Sequence, residues 1–351
     1  MPVEVLEQAQ RELLDCGGHG LSILEMPFTG DEFRGILLQT RDDLRALLQI
    51  PDHFHILFMH GGASAQFSLV PLNLLGDGKK ADYVETGYWS RKAIREARRY
   101  CAVNIAGSSE ENQFCRMPTS AELRIDPDAA YCHITTNETA NGVQFHAIPD
   151  CGDVPLVADM TSDFLSRPID FNRLGLIYAS AQKNIGPAGL TVVIVRDDLL
   201  GRAQSATPAV FNYREQAEAG SMLNTPTTFA VYLAGLVFKW IAAQGGIAAM
   251  EQKSLARSQR VYDMIDGSNG FYRCPIVPAD RSRMNPCFTL ADDALTSRFL
   301  ADAARQGLAN LKGHVMMGGI RISLYNAMPD AGVAALATFM HEFREQFEHH
   351  V

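Results

Sequence analysis

The chain alternates amphipathic segments with short apolar runs along most of its length. In residues 31–48 the apolar side chains, Phe33, Leu37 and Leu44 among them, recur at the spacing of one helix face. Continuous apolar runs such as 190–195 instead predict buried strands. The predicted helices cover residues 5–14, 31–48, 90–100, 227–243, 248–265, 295–307 and 330–347, and a further helix begins near residue 64. The predicted strands cover residues 55–59, 81–84, 130–135, 154–159, 174–179, 190–195, 286–290 and 320–323.

Strands that alternate with helices predict an α/β fold, in which a mostly parallel sheet lies between layers of helices. The pattern changes after the apolar helix at 227–243, which is followed by Gly245 and Gly246. We therefore predict a large domain over residues 15–245 and a small C-terminal α+β domain over 246–351, with residues 1–14 packing near the small domain. In open parallel sheets the loops at the carboxyl ends of the strands form the ligand crevice, so functional residues are expected there.

Composition and charge narrow the class of protein. The 351 residues are 47% hydrophobic and 20% charged, which is typical of a globular protein. Forty acidic residues against 31 basic ones leave a net charge of −9, so neither nucleic acid nor a membrane surface is the expected partner. No apolar run is long enough to predict a transmembrane helix, and the first residues lack the basic and apolar pattern that predicts a signal peptide. Seven scattered cysteines without a C-x-x-C pair predict neither disulfides nor a metal site, and they favour the cytoplasm.

A lysine stands between two apolar strands in residues 174–195. Partial desolvation of Lys183 there would favour the neutral amine, the nucleophile needed for a Schiff base with an aldehyde. A lysine at a strand end more often faces solvent, so a second feature is needed. Asp159 ends the preceding predicted strand, 24 residues earlier. Pyridoxal phosphate requires such a pair, a lysine for its aldehyde and a carboxylate for its pyridine nitrogen, although an aspartate after a strand is also a common helix cap.

A glycine-rich turn, His60-Gly61-Gly62-Ala63-Ser64, joins a predicted strand to a predicted helix. Glycines at a helix N-terminus allow backbone N–H groups to approach a phosphate. The turn matches neither a Walker A loop nor G-x-G-x-x-G, so it does not indicate a nucleotide. A Gly-Gly turn of this kind is more often structural.

Four segments together resemble the phosphoserine aminotransferase family, class V enzymes of fold type I. They are 178–190 (YASAQKNIGPAGL), 220–226 (GSMLNTP), 282–285 (SRMN) and 325–329 (YNAMP). The resemblance implies a pyridoxal-phosphate transferase fold, with a large mostly parallel-sheet domain and a small C-terminal α+β domain. It also implies the cofactor pyridoxal 5'-phosphate, amino-acid and 2-oxo-acid substrates, and a homodimer whose active sites are shared across the interface.

The resemblance implies roles for individual residues. Lys183 matches the Schiff-base lysine, which also moves the substrate's α-proton, and Asp159 matches the partner of the pyridine nitrogen. Arg321 matches the arginine that holds the substrate α-carboxylate. The other implied cofactor residues are Ala63, Ser64 and Gln182 at the phosphate, Trp89 on the ring, Thr139 near the phenolic oxygen, and Asn224 and Thr225 reaching the phosphate from the other subunit.

The resemblance also implies a pocket for the substrate's phosphate, and of its residues only His314 is kept. Phe28 and Thr29 stand where the family has His-Arg, Ser64 stands where it has an arginine, and Val315 stands where an arginine follows the histidine at 314. Each charge-assisted bond to a phosphate contributes ~1.5–3 kcal/mol, so these losses predict weak binding of phosphorylated substrates. We therefore expect an aminotransferase for a non-phosphorylated amino acid and 2-oxo acid, whose side chain would lie against these positions.

Three alternatives to this function remain. The first is a genuine phosphoserine aminotransferase that converts 3-phosphohydroxypyruvate and glutamate in serine biosynthesis and uses other cations. The second is a pyridoxal-phosphate enzyme of another reaction type, since one cofactor supports several reactions. The third is a non-catalytic homologue. The presence of Lys183, Asp159, Trp89 and Thr139 argues against that third alternative.

Overall fold

The computed structural model describes residues 1–18 and 20–348; residues 19 and 349–351, which fall inside the two predicted domain ranges, lie outside the described residues. The helices are α1 (Val3–Glu12), α2 (Asp31–Leu48), α3 (Gly62–Leu74), α4 (Tyr88–Ala97), α5 (Tyr213–Glu218), α6 (Thr228–Ala243), α7 (Gly246–Asp266), α8 (Leu295–Arg305) and α9 (Asp330–Phe347). The strands are β1 (Phe54–His60), β2 (Lys80–Glu85), β3 (Ala102–Ser108), β4 (Cys132–Thr135), β5 (Asn137–Glu138), β6 (Val143–Gln144), β7 (Leu156–Asp159), β8 (Leu176–Ser180), β9 (Leu190–Arg196), β10 (Tyr272–Arg273), β11 (Cys287–Leu290) and β12 (Ile320–Arg321).

A seven-stranded sheet has the order β1-β9-β8-β7-β4-β2-β3. Strand β9 runs antiparallel to both of its neighbours, and the other neighbouring pairs are parallel. The prediction of a mostly parallel sheet is therefore confirmed. The central strands β4, β7 and β8 are buried along their whole length, which explains why they appear in the sequence as continuous apolar runs.

Helices cover both faces of this sheet. Successive side chains of a strand point to opposite faces and enter two different apolar clusters. On β8, Ile177 belongs to the cluster that contains α2 and α6, whereas Tyr178 belongs to the cluster that contains α3 and α4. Helix α1 packs against α6, and its Val5 and Ala9 lie in the first cluster. Among the described residues no single helix is long and apolar enough to span a membrane; only α6 and α7 taken together reach that length and composition, and they meet at a bend of 80°.

The C-terminal part of the chain builds a cluster of its own. The small sheet β10-β11-β12 is antiparallel throughout, and it packs with α7, α8 and α9. Phe299 of α8 is fully buried there, in edge-to-face contact with Phe339 and Phe343 of α9. The domain boundary at residue 245 and the placement of residues 1–14 near the small domain stay predictions.

Candidate active site

Asp159 and Lys183 come from neighbouring strands of the large sheet. Asp159 is the last residue of β7, where it pairs with Tyr178 of β8, and Lys183 follows the end of β8 by three residues. Both side chains line one cavity of about 500 Å3 at the carboxyl edge of these strands. The predicted residues that line the same cavity are Ala63, Ser64, Trp89, Thr139, Asp159, Gln182 and Lys183. Adjacent parallel strands explain why residues 24 positions apart meet at one site.

The Asp159 carboxylate is buried without a cationic partner. It accepts a hydrogen bond from the Thr161 backbone N–H, at 2.9 Å. Burial raises the pKa of Asp159 to about 6, and the Thr161 and Tyr178 side chains offset only part of that rise. Within the described residues no lysine or arginine is among the largest contributions to the pKa of Asp159. Such a carboxylate is suited to a bound group that brings its own positive charge.

Tyr178 and His133 form an uncharged layer beneath Asp159, and sequence reasoning missed both. The Tyr178 hydroxyl lies 2.8 Å from Nε2 of His133, whose ring stacks on Tyr83 at 4.8 Å between centroids. Burial lowers the pKa of His133 to about 3, so this imidazole is neutral at physiological pH. The charge of Asp159 is therefore left for a ligand to neutralise. The only available signal was that Tyr178 opens the 178–190 segment and that His133 lies on the next strand but one.

Trp89 and Thr139 are held together at the start of α4. The indole N–H of Trp89 donates a hydrogen bond to the Thr139 hydroxyl, at 2.9 Å. The buried Glu138 carboxylate accepts the backbone N–H groups of Trp89 at 2.9 Å and Ser90 at 2.8 Å. An acceptor for free N–H groups at a helix N-terminus fixes the entry of the helix, and with it the position of the indole. Glu138 is a positioning residue that the sequence analysis did not single out.

The glycine-rich turn lies against the end of β8. Gly61 and Gly62 have φ values of +98° and +68°, a backbone region that other residues rarely adopt. A Cβ atom on Gly62 would lie 3.1 Å from the Ser180 hydroxyl oxygen, which is tighter than ordinary contact. Glycine at these two positions lets the backbone lie against the cavity. The N–H groups at the N-terminus of α3 are therefore suited to bind an anion there.

The C-terminal motifs converge on Lys183. Its Nζ lies 5.1 Å from the centre of the Tyr325 ring, and the Tyr325 hydroxyl accepts a hydrogen bond from Asn285 Nδ2 at 3.3 Å. The backbone N–H of Asn326 donates to Asn184 Oδ1 at 2.9 Å. Three of the four segments behind the family resemblance therefore meet at one place, although about 140 residues separate them in the chain.

Arg321, on β12 of the small C-terminal sheet, lies beside Thr139, which lines the cavity. Its Nη1 donates to the backbone oxygen of Thr139 at 3.4 Å, whereas its buried Nε has no hydrogen-bond partner among the described residues. An unused guanidinium donor of this kind is suited to a carboxylate. His314 lies nearby, with its ring 4.4 Å from the ring of Tyr88. Burial and the charges of Arg321 and Lys92 lower the pKa of His314.

Some predicted residues do not line the cavity of their own chain: Phe28, Thr29, His314, Val315, Arg321, Asn224 and Thr225. Phe28 packs against the apolar cluster of α2 and α6, and Val315 is 89% exposed. Asn224 and Thr225 lie between α5 and α6, where Asn224 Oδ1 accepts a hydrogen bond from Gln216. Phe28 and Val315 therefore do not line this cavity within a single chain, and their contact with the substrate stays a prediction.

The residues present fit pyridoxal phosphate. Asp159 supplies a buried anion for a protonated pyridine nitrogen, and Lys183 supplies an amine within the same cavity. The N-terminus of α3 supplies N–H groups for a phosphate, and Trp89 supplies an aromatic face.

Comparisons with known proteins support the same assignment. The family described as "Aminotransferase class-V" matches residues 1–336. The phosphoserine aminotransferase of Nitrosomonas europaea is 54% identical, over 98% of this chain and 96% of its own length. The solved phosphoserine aminotransferase of Bacillus circulans subsp. alkalophilus is 42% identical with a TM-score of 0.97, over 99% of this chain and 96% of that one. The pyridoxal-phosphate-bound enzyme of Trichomonas vaginalis is 40% identical with a TM-score of 0.93, over 97% of each chain.

These comparisons correct the predicted substrate. Curated relatives that are 50–54% identical over nearly their whole length are phosphoserine aminotransferases, so the expectation of a non-phosphorylated substrate is wrong. That expectation counted cations at individual aligned positions, whereas a phosphate responds to the summed field of all nearby charges. The cofactor, the fold type and the aminotransferase activity were predicted correctly. This protein is a pyridoxal-phosphate-dependent transaminase, and it belongs to the class V aminotransferases and, among them, to the phosphoserine aminotransferase family.

Proposed function

We propose that the protein is a genuine phosphoserine aminotransferase, which exchanges the amino group between phosphoserine and a 2-oxo acid. In the direction of serine synthesis its substrates would be 3-phosphohydroxypyruvate and glutamate. The observation that carries this proposal is the identity of 50–54% to curated phosphoserine aminotransferases over 98–99% of the chain. The cavity supports it, because the cation that would hold an α-carboxylate lies beside the residues that would hold the cofactor.

Lys183 and Asp159 would carry the chemistry. Pyridoxal phosphate, when bound, supplies an aldehyde for amines and a ring that withdraws electrons from the substrate α-carbon. Lys183 would bind that aldehyde and, once displaced by the substrate amine, would move the proton at the α-carbon. Asp159 would keep the ring nitrogen protonated, since its own buried charge needs a cation.

The remaining residues would position the reactants. Trp89, fixed by Glu138 and Thr139, would pack on the cofactor ring and exclude water from one face. Arg321 would orient the substrate through its α-carboxylate, using the Nε donor that has no partner among the described residues. A substrate held at its carboxylate and at its amine has a fixed α-carbon, which brings the α-proton within reach of Lys183.

Steady-state kinetics test the proposed substrate. We expect kcat/KM for phosphoserine to exceed that for serine by at least about 100-fold, because the phosphate adds charge-assisted bonds that serine cannot make. The measurement compares both amino donors with one 2-oxo acid at one pH and ionic strength. Equal or higher kcat/KM for serine, or for another amino acid with a neutral side chain, would refute the proposal.

We also propose a homodimer in which Asn224 and Thr225 serve the partner's site. The proposal is supported by their position away from the cavity of their own chain and by the family resemblance. A Lys183→Ala chain mixed with an Asn224→Ala/Thr225→Val chain should recover about a quarter of wild-type activity, because half of randomly paired dimers are hybrids with one intact site. Recovery of no activity, after subunit exchange has been verified, would show that these residues act within their own chain.

A cytoplasmic location completes the proposal. It is supported by the seven cysteines, all of which are free thiols.

A further inference from the structure

A phosphoserine site must hold three negative charges, one on the α-carboxylate and about two on the phosphate. Arg321 accounts for the carboxylate. Where the family has further cations this chain has Phe28, Thr29, Ser64 and Val315, none of which carries charge. The charge that holds the phosphate must therefore come from other residues at the mouth of the cavity.

Lys92, on the first turns of α4, lies beside a residue that lines the cavity. Its Nζ is 5.0 Å from the centre of the Trp89 ring and 5.6 Å from the centre of the Tyr88 ring. Trp89 lines the cavity, and the ring of Tyr88 also contacts the ring of His314. The two aromatic rings therefore hold Lys92 on the same side of the site as His314 and Arg321, although these residues come from different parts of the fold.

Lys92 and Arg321 are two cations beside His314, and neither has a counter-ion among the described residues. In the described part of the chain, Lys92 makes cation–π contacts but no ion pair, and Arg321 contacts only a backbone oxygen. Their charges act together on His314, whose pKa they lower. The adjacent Arg91 shows the contrast, because it is neutralised by Glu85 and Glu110. Uncompensated cations that repel one another at the edge of a cavity are stabilised when an anion binds between them.

Resting on the proposed function, we propose that Lys92, with His314 beside it, binds the phosphate group of the substrate and so replaces the missing arginines. Lys92 donates to the phosphate as a flexible point charge, which suits an ester group of variable orientation. Arg321 meanwhile holds the α-carboxylate, so the two ends of the substrate are held by different cations. The family resemblance alone did not indicate Lys92.

The test separates phosphate binding from general damage to the site. It uses the holoenzyme and two competitive inhibitors, 3-phosphoglycerate and glycerate, which differ only in the phosphate. Lys92→Gln should weaken inhibition by 3-phosphoglycerate by about 10- to 100-fold, the loss of one charge-assisted bond, and leave inhibition by glycerate unchanged. Its kcat/KM for phosphoserine should fall by a similar factor.

Two control variants and the wild type complete the experiment. Lys92→Arg should retain most of the phosphate preference, and Arg95→Gln, which removes an exposed charge from the same helix, should behave as wild type. An equal loss for both inhibitors would indicate a structural role of Lys92 and overturn the assignment, as would an unchanged preference. A wild-type enzyme that does not prefer phosphoserine over serine would instead refute the proposed function itself.

Discussion

Replacing Lys183 by alanine is expected to abolish transamination, with a loss in kcat on the order of 10⁴-fold or more. Proton transfer by a positioned side chain contributes roughly 10²- to 10⁴-fold, and the same substitution also removes the amine that would bind the cofactor aldehyde. The cofactor should then be held without a covalent bond. Borohydride reduction followed by mass spectrometry of the protein measures that bond directly, independently of activity.

The matched control for this variant is Lys79→Ala, which removes an exposed lysine from the turn before β2. It should retain wild-type kinetics and covalent cofactor. Added small amines should restore part of the activity of Lys183→Ala, because they can occupy the vacated space and move the proton. Turnover by Lys183→Ala within about tenfold of wild type would contradict the assignment of this lysine.

Replacing Asp159 by asparagine is expected to separate activity from stability. The variant should lose about 10²- to 10³-fold in kcat, since the ring nitrogen loses the anion that keeps it protonated. The apoprotein, by contrast, should become more stable at pH 8. Burial raises the pKa of Asp159 to about 6, so at pH 8 the wild-type protein contains an ionised carboxylate that is costly to bury.

The stability difference has a defined dependence on pH. A carboxyl group whose pKa is higher in the folded state destabilises the fold above that pKa, and the penalty disappears as the pH falls toward the unfolded value. A rise in the pKa of Asp159 to about 6 lowers the free energy of unfolding by about 3 kcal/mol at pH 8. Asparagine does not titrate, and its oxygen can still accept from the Thr161 N–H.

Thermal unfolding of the two apoproteins measures this difference. The advantage of Asp159→Asn should be largest at pH 8 and should shrink between pH 6 and pH 4. Asp77→Asn, at an exposed aspartate, is the control and should show no such trend. An apoprotein of Asp159→Asn that is less stable than wild type at pH 8 would show that the buried charge is not costly, and that the pKa of Asp159 is not raised.

The local pattern of hydrophobic and polar residues was sufficient to predict most of the helices and strands. Helices α2 and α9 occupy the predicted ranges, because a 3.6-residue period over 18 residues specifies a helix and its buried face. Strand β3 was missed, since it lies at the sheet edge, is mostly exposed and contains Asn104 and Gly107 instead of an apolar run. The antiparallel direction of β9 could not be predicted from its residues either, because the direction of a strand depends on how the chain connects it to its neighbours in the sheet.

The active site divides in the same way. Lys183 and Asp159 could be recognised because each follows an apolar run and their chemistry is complementary. Tyr178 and His133 beneath Asp159 could not, because a buried tyrosine and a buried histidine on strands are usually only core residues. The prediction of the substrate was wrong for a related reason. The sequence showed that cations are absent at the family's positions, but it did not show that a cation on another helix could take their place.

The sequence by itself determined most of the secondary structure, the lysine and carboxylate that would hold the cofactor, and the family. Only the tertiary structure decided that Asp159 has no cationic partner among the described residues, that Glu138 fixes Trp89 at the start of α4, and that both Lys92 and His314 lie beside Tyr88. The physical reason is distance along the chain. Periodicity and propensity report on neighbours within a few residues, whereas burial and electrostatic fields depend on segments that only the order of strands in the sheet brings together.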